Sequence, residues 1–161
     1  MPGLTPFQTV GPYLSIGLCV GVEPTVQDGL VVIRGRLIDG AGQPIPDGVL
    51  EWWHPTLPGV VRSLTGPDGE FSIAIVKPPA RDLAGQVEAP HLAVRILARG
   101  ILTQYATRMY FSDEPATAQD AVLGLVPEAR RRTLIAEHQA ENEYRFDVIV
   151  QGDNETVFFE T

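Results

Sequence analysis

Apolar and polar positions alternate with a period of two over many short runs of this chain, and one run alone has the period of a helix. Successive side chains of a strand point to opposite faces, so each alternating run predicts a half-buried strand. Val31, Ile33 and Leu37 alternate with Val32, Arg34 and Arg36. Val49-Leu50-Glu51-Trp52-Trp53 follows, then a short run at 62–65. Phe71, Ile73 and Ile75 face one way, with Ser72 and Ala74 opposite. Near the end, Tyr144, Phe146, Val148 and Val150 alternate with Arg145, Asp147 and Ile149, and Thr156 to Glu160 reads as a last strand.

Turn chemistry separates these runs. Asp39-Gly40-Ala41-Gly42, Pro44-Ile45-Pro46-Asp47-Gly48, Pro55-Thr56-Leu57-Pro58-Gly59 and Gly66-Pro67-Asp68-Gly69 each break the pattern. In such turns proline fixes one dihedral and glycine supplies a positive φ. Residues 77–90 form a connection without periodicity, and 113–127 a polar loop with one apolar turn, Ala121-Val122-Leu123. The helix is expected over 127–136, where Pro127 suits the first turn, Glu128 complements the dipole and three arginines follow.

The longest patterned stretch is His91 to Phe111, two strands joined at Gly100. On the first, His91, Arg95 and Arg99 share one face while Leu92, Val94, Ile96 and Ala98 share the other. One face suits a core. The other presents an imidazole and two guanidinium groups in a row, where chemistry is expected.

Seven or eight short strands at near-regular spacing predict an all-β antiparallel β-sandwich over residues 30–161. No internal repeat and no second domain are visible. Residues 1–29, with Pro2, Pro6, Pro12 and Pro24 among many glycines, predict an extended N-terminal arm rather than a regular element. Phe7, Tyr13 and Ile16 are its candidate anchors across the domain or a partner; a disordered terminus is the alternative.

Composition narrows the function classes. A chain of 161 residues fits one domain with a real core. Its formal charge of −8 argues against nucleic acid, whose phosphates need clustered positive charge. The one basic run, Arg130-Arg131-Arg132, reads as a solvated helix face. The single cysteine, Cys19, allows no internal disulfide and suits a reducing cytoplasm. The first residues carry neither the basic region of a signal peptide nor an apolar run that would span a membrane.

The common catalytic motifs are missing: no phosphate loop between strand and helix, no G-x-S-x-G, no cysteine pair. His54, His91 and His138 are too far apart for a local metal motif, although distant residues could still converge. Beside His91 on the same face stand Ala93, which cannot coordinate, and Arg95, which repels a cation. His91 is therefore expected to be a hydrogen-bonded strand-end histidine, and His138 to be solvated.

Several segments together carry a resemblance. They are TPFQTVGPYLSIGL at 5–18, GRLIDGAGQPIPDGVLEWW at 35–53, DGEFSIAIVKP at 68–78, APHLAVRILARG at 89–100, TRMYFSDE at 107–114, RRTLIA at 131–136 and YRFDVIVQGDNETVFFE at 144–160. On these the chain resembles the intradiol ring-cleavage dioxygenases, across most of its length and in the right order. The D-G-x-G-x-P turn is weak alone; the T-P-x-Q-T-x-G-P-Y start, the A-P-H…A-R-G strand and the E-T-V-F-F end are specific together.

The resemblance implies a non-haem ferric ion, Fe(3+), held by two tyrosines and two histidines, with O2 inserted between the hydroxyl-bearing carbons of a bound catecholate. The family's H-x-H pair falls on the 91–97 strand, where this chain reads His91-Leu92-Ala93. The tyrosine expected within 77–90 is missing, as is one between Trp53 and Tyr105. No catalytic or metal residue is therefore expected in this chain: His91 is the sole match to a ligand and Ala93 replaces another. The family includes two-chain enzymes in which the iron belongs to a homologous beta chain, within a higher (alpha-beta)n assembly. This chain resembles the alpha partner, which lines the pocket at the interface and, as half of an obligate pair, should expose a large apolar surface.

By the same match, Gly11, Pro12, Tyr13 and Arg99 meet a small aromatic acid there. A guanidinium fork suits a carboxylate, and a tyrosine packs on a ring. The alternatives are a surface ion pair for Arg99 and plain interface packing for Tyr13. The loop after Trp53 and the arm before Leu30 look shorter than in such chains, which bears on substrate contacts and assembly size. Two rival readings remain: a self-sufficient dioxygenase with unusual iron ligation, and a non-enzymatic transthyretin-like or carboxypeptidase-regulatory-like binding module.

Overall fold

A computed structural model of the chain describes Leu18 and residues 30–160. The strands are β1 Leu30–Asp39, β2 Val49–Trp53, β3 Val61–Leu64, β4 Glu70–Val76, β5 Arg81–Leu83, β6 Gln86–Glu88, β7 His91–Leu97, β8 Tyr105–Phe111, β9 Ile135–Ala140, β10 Glu143–Arg145 and β11 Val148–Val150. All but β5 and β6 belong to one sheet that runs β11-β1-β10-β9-β8-β7-β2-β3, with β4 on β1. β9 bends the path. Its first residues pair with β8 and its later ones with β10, so the sheet folds over on itself and nearly closes. The all-β fold follows the alternation in the sequence. Pairing within it is mixed: β1 takes β10 and β11 in parallel, and β8 takes β9 in parallel.

The core lies between the folded halves. Val31, Ile33 and Leu37 from β1, Phe71, Ile73 and Ile75 from β4, and Leu92, Val94 and Ile96 from β7 all point inward. Trp52 is fully buried at the centre, 5.6 Å from Phe71 between ring centroids, and its indole N–H donates to Ser63 Oγ at 3.0 Å. That bond satisfies the one polar atom such a ring brings into a core. A smaller cluster of Ala89, Tyr110, Leu123, Val126 and Leu134 lies elsewhere in the fold.

Four expectations change. The helix over 127–136 is only Glu128–Arg131, followed by a 3-10 turn, Arg132–Leu134, and then β9. The sheet takes Ile135 and Ala136 as partners for Tyr110 and Phe111, and that pairing overrides the helical pattern. The arginines of this run are only in part a solvated face, Arg132 being exposed and Arg130 and Arg131 half-buried. Arg130 Nη2 donates to the Glu155 carbonyl at 2.7 Å, Arg131 Nε to the Val126 carbonyl at 2.8 Å, and Arg132 Nη2 to Asn154 Oδ1 at 3.0 Å. The single strand expected over 144–150 is two, β10 and β11, both parallel to β1 in one register and interrupted where the Phe146 carbonyl meets Gly35. A Cβ at Gly35 would sit 1.7 Å from the Phe146 carbonyl oxygen, so only glycine permits the approach. Residues 156–160 form one bridge, Phe159 to Ala106, instead of a strand.

Two further elements lacked a periodic signal. Residues 77–90 contain the β5–β6 hairpin, and the 113–127 loop contains the helix Ala121–Leu125. Asp120 caps that helix, its carboxylate accepting from the Val122 and Leu123 amides at 3.0 and 2.8 Å. Among the described residues no helix is long and apolar enough to cross a membrane.

Candidate functional site at the two ends of one strand

The expected polar row begins on β7 with His91 and Arg95, but Arg99 lies in the turn beyond Leu97, and the row is not one surface. Leu92, Val94, Ile96 and Ala98 are buried in the core, as the alternation requires. On the other face His91 is 4% exposed, Arg95 half-buried and Arg99 exposed. The row passes from inside to outside along the strand.

At the inner end, His91 pairs with Tyr110 across the ladder, with ring centroids 5.6 Å apart. Its Nδ1 lies 2.9 Å from the Ala89 carbonyl oxygen, which assigns the proton to Nδ1. Burial lowers the His91 pKa, opposed by the Ala89 carbonyl and assisted by the Arg108 guanidinium. Nε2 looks toward Glu88 Oε1 at 4.0 Å, but that carboxylate is already paired with Arg81. Tyr110 donates its hydroxyl proton to Asp120 at 2.9 Å, and burial raises its pKa further beyond the ordinary phenol value. Asp120, 3% exposed, also accepts from the Ala89 amide at 2.9 Å. His91 is thus the hydrogen-bonded strand-end histidine expected from the sequence.

Ala93 faces Arg108 on β8 and Trp53 on β2. Arg108 Nη1 is buried without a hydrogen-bond partner among the described residues. Arg95 lies over the Trp53 ring, its guanidinium carbon 5.4 Å from the centroid. The surroundings of His91 are therefore an alanine, the Arg108 guanidinium, a paired carboxylate and a phenol committed to Asp120. This donor set does not fit a ferric ion. A hard trivalent cation needs several anionic or imidazole ligands converging on one point, and the described residues contain no group of three or more histidine, cysteine, aspartate or glutamate side chains that could hold a metal ion.

His54, in the loop after β2, serves the loop itself. Its Nδ1 accepts from the Thr56 and Leu57 amides, each at 3.1 Å. Burial, then Arg81, lowers its pKa.

At the outer end, Ala98 closes a turn by accepting from the Ile101 amide at 3.2 Å, and Gly100 takes φ +84°. Arg99 projects from that turn. Its Nη2 donates to Asp47 Oδ2 at 2.9 Å, with the two side chains 54% and 50% exposed. Asp47 belongs to the Pro46-Asp47-Gly48 turn, which sequence reasoning treated only as a chain reversal. Arg108 was missed too, because its place opposite Ala93 depends on the hairpin register. Gly11, Pro12 and Tyr13 lie outside the described residues, as do Phe7 and Ile16.

Comparisons with known proteins come from three directions. Protein-family models give no match. The chain is 40% identical to a protocatechuate 3,4-dioxygenase alpha chain of Burkholderia cepacia, over 97% of this chain and 96% of that one. The alignment runs to 193 positions, more than the 161 residues present here, so the relative carries residues that this chain lacks. The beta chain from the same organism is 23% identical, over 78% of this chain and 66% of that one. Among solved structures, the dioxygenase domain of a dioxygenase carbohydrate-binding fusion from Streptomyces sp. SirexAA-E superposes with a TM-score of 0.62 at 23% identity, over 92% of this chain and 98% of that one.

Proposed function

Because this chain belongs to the family of protocatechuate 3,4-dioxygenase alpha chains, we propose that it is the subunit that completes the pocket while a homologous beta chain holds the Fe(3+). The pair would cleave protocatechuate with O2 to 3-carboxy-cis,cis-muconate, in the cytoplasm and within a higher (alpha-beta)n assembly. The observation that carries this reading is the occupancy of the 91–97 strand. One ligand position of the family holds His91, locked to a backbone carbonyl, and the next holds Ala93 with Arg108 opposite. A chain so arranged contributes shape and charge to a reaction, not the metal.

What it contributes is the outer end of β7. Protocatechuate is an aromatic carboxylate. Among the described residues Arg99 engages only Asp47, through one nitrogen, and its other N–H groups can reach a second carboxylate. Gly11, Pro12 and Tyr13 of the arm belong to the same pocket by the family match, with Tyr13 packing on the ring.

Two measurements test this. Co-expression with the companion chain, followed by oxygen uptake over a panel of catechols, should show cleavage of protocatechuate by the pair and none by this chain alone. A stoichiometric ferric ion in this chain purified alone would overturn the assignment. In the assembled enzyme, Arg99→Ala should raise KM for protocatechuate about tenfold, the worth of a charge-assisted hydrogen bond, with iron content unchanged. Loss of iron would make Arg99 structural.

A further inference from the structure

We propose that Asp47 is the positioning residue for Arg99, holding its guanidinium ready for the carboxylate of an anionic aromatic substrate. The proposal rests on the reading of Arg99 as the carboxylate contact and adds the residue that aims it.

Three observations carry it. First, the pair links two turns that the fold fixes independently. The Arg99 turn is closed by the bond from Ile101 to Ala98, and Ala98 is fully buried. The Asp47 turn is pinned by Thr65, itself 5% exposed. The Thr65 hydroxyl donates to the Ile45 carbonyl at 2.7 Å and accepts from the Gly48 amide at 2.7 Å, while the Asp47 amide donates to the Thr65 carbonyl at 3.3 Å. Second, Asp47 adopts φ +59°, a conformation that side chains other than Asn and Asp rarely accept. The neighbouring Gly48 is closely packed, since a Cβ there would meet Leu37 at 2.8 Å and Thr65 Oγ1 at 3.0 Å. The carboxylate therefore projects from a backbone with little freedom. Third, the contact uses one nitrogen of Arg99, Nη2. An arginine anchored at one corner keeps its remaining donors in a fixed plane, so less freedom is lost when a carboxylate docks.

An exposed ion pair contributes little to stability, which makes the pair a clean target. Asp47→Asn keeps a residue that tolerates the positive φ and removes only the charge. In the assembled enzyme it should raise KM for protocatechuate about two- to five-fold, as expected for a contact of this exposure. kcat and iron content should hold, and inhibition by a catechol lacking the carboxylate should not change. In an Arg99→Ala background the same substitution should have no effect. A fall in KM would overturn the proposal by showing that Asp47 competes with substrate. An unchanged KM in Asp47→Asn while Arg99→Ala raises it would overturn the proposal and leave the Arg99 contact standing. An unchanged KM in Arg99→Ala would remove the contact, and this inference with it.

Discussion

At one end of β7 the His91 imidazole is 4% exposed and bonded to a backbone carbonyl, while at the other the Arg99 guanidinium stands half in solvent against a single carboxylate. His91 opens the strand, and Arg99 lies in the turn just past its last residue, Leu97. The difference lies in what covers them. At the inner end, His91 packs on Tyr110, which belongs to the cluster with Leu123, Val126 and Leu134. Asp120 ties the cluster's polar groups to the backbone. At the outer end two turns meet and nothing in the described chain lies over them but the partner charge. Groups satisfied inside the protein hold the fold. Groups left in solvent keep N–H donors for something else. The contrast predicts that substitutions at the inner end cost stability and those at the outer end cost function.

The largest effect should come from Asp120→Ala. Its carboxylate accepts from the Ala89, Val122 and Leu123 amides and from the Tyr110 hydroxyl. Truncation leaves buried donors without partners and should destabilise the chain by about 3–5 kcal/mol. Urea denaturation would measure it. A cost below about 1 kcal/mol, the range of an exposed pair, would erase the distinction between the two ends.

A second test uses pH. Burial lowers the pKa of His91, so the folded state disfavours the proton while the unfolded chain binds it near pH 6.5. Between about 6.5 and the lowered folded value the unfolded state holds more protons, and stability falls as pH falls. The slope is at most about 1.4 kcal/mol per pH unit for each histidine, and it flattens once the folded form titrates too. His54 is shifted in the same direction and adds to it. His91→Gln should reduce the slope to the share of His54. An undiminished slope would mean that the inner end is more open than its packing indicates.

The alternation of β1, β4 and β7 was legible because period two survives wherever one face meets a core. So were the tight turn at Gly66–Gly69 and the burial of Leu92, Val94 and Ile96. Two features were not. The helix expected over 127–136 yields to β9, because Ile135 and Ala136 gain more from Tyr110 and Phe111 than from helical bonds. The break between β10 and β11 falls where the Phe146 carbonyl meets Gly35, a contact across more than a hundred residues that leaves no local mark. The candidate site was half visible. His91 and Ala93 stand where the strand pattern put them, whereas Arg99, expected on the same strand, lies in the turn after it. Arg108, Glu88 and Asp47 come to them through register and turn packing, which no periodicity encodes.

The smallest predicted effect concerns stability at the outer end. Arg99→Ala removes one ion pair between side chains that are each about half exposed. Water screens such a pair, and two side chains must give up freedom to form it, so its net worth is about 0–1 kcal/mol. The alkyl stem adds little, since Arg99 projects from an exposed turn and its core-side neighbour Ala98 stays in place. The denaturation midpoint of the variant should therefore lie close to that of the parent chain, in the same variant for which substrate binding is expected to weaken tenfold. A destabilisation of 2 kcal/mol or more, well beyond the roughly 1 kcal/mol ceiling for exposed pairs, would place Arg99 with His91 among the residues that hold the fold.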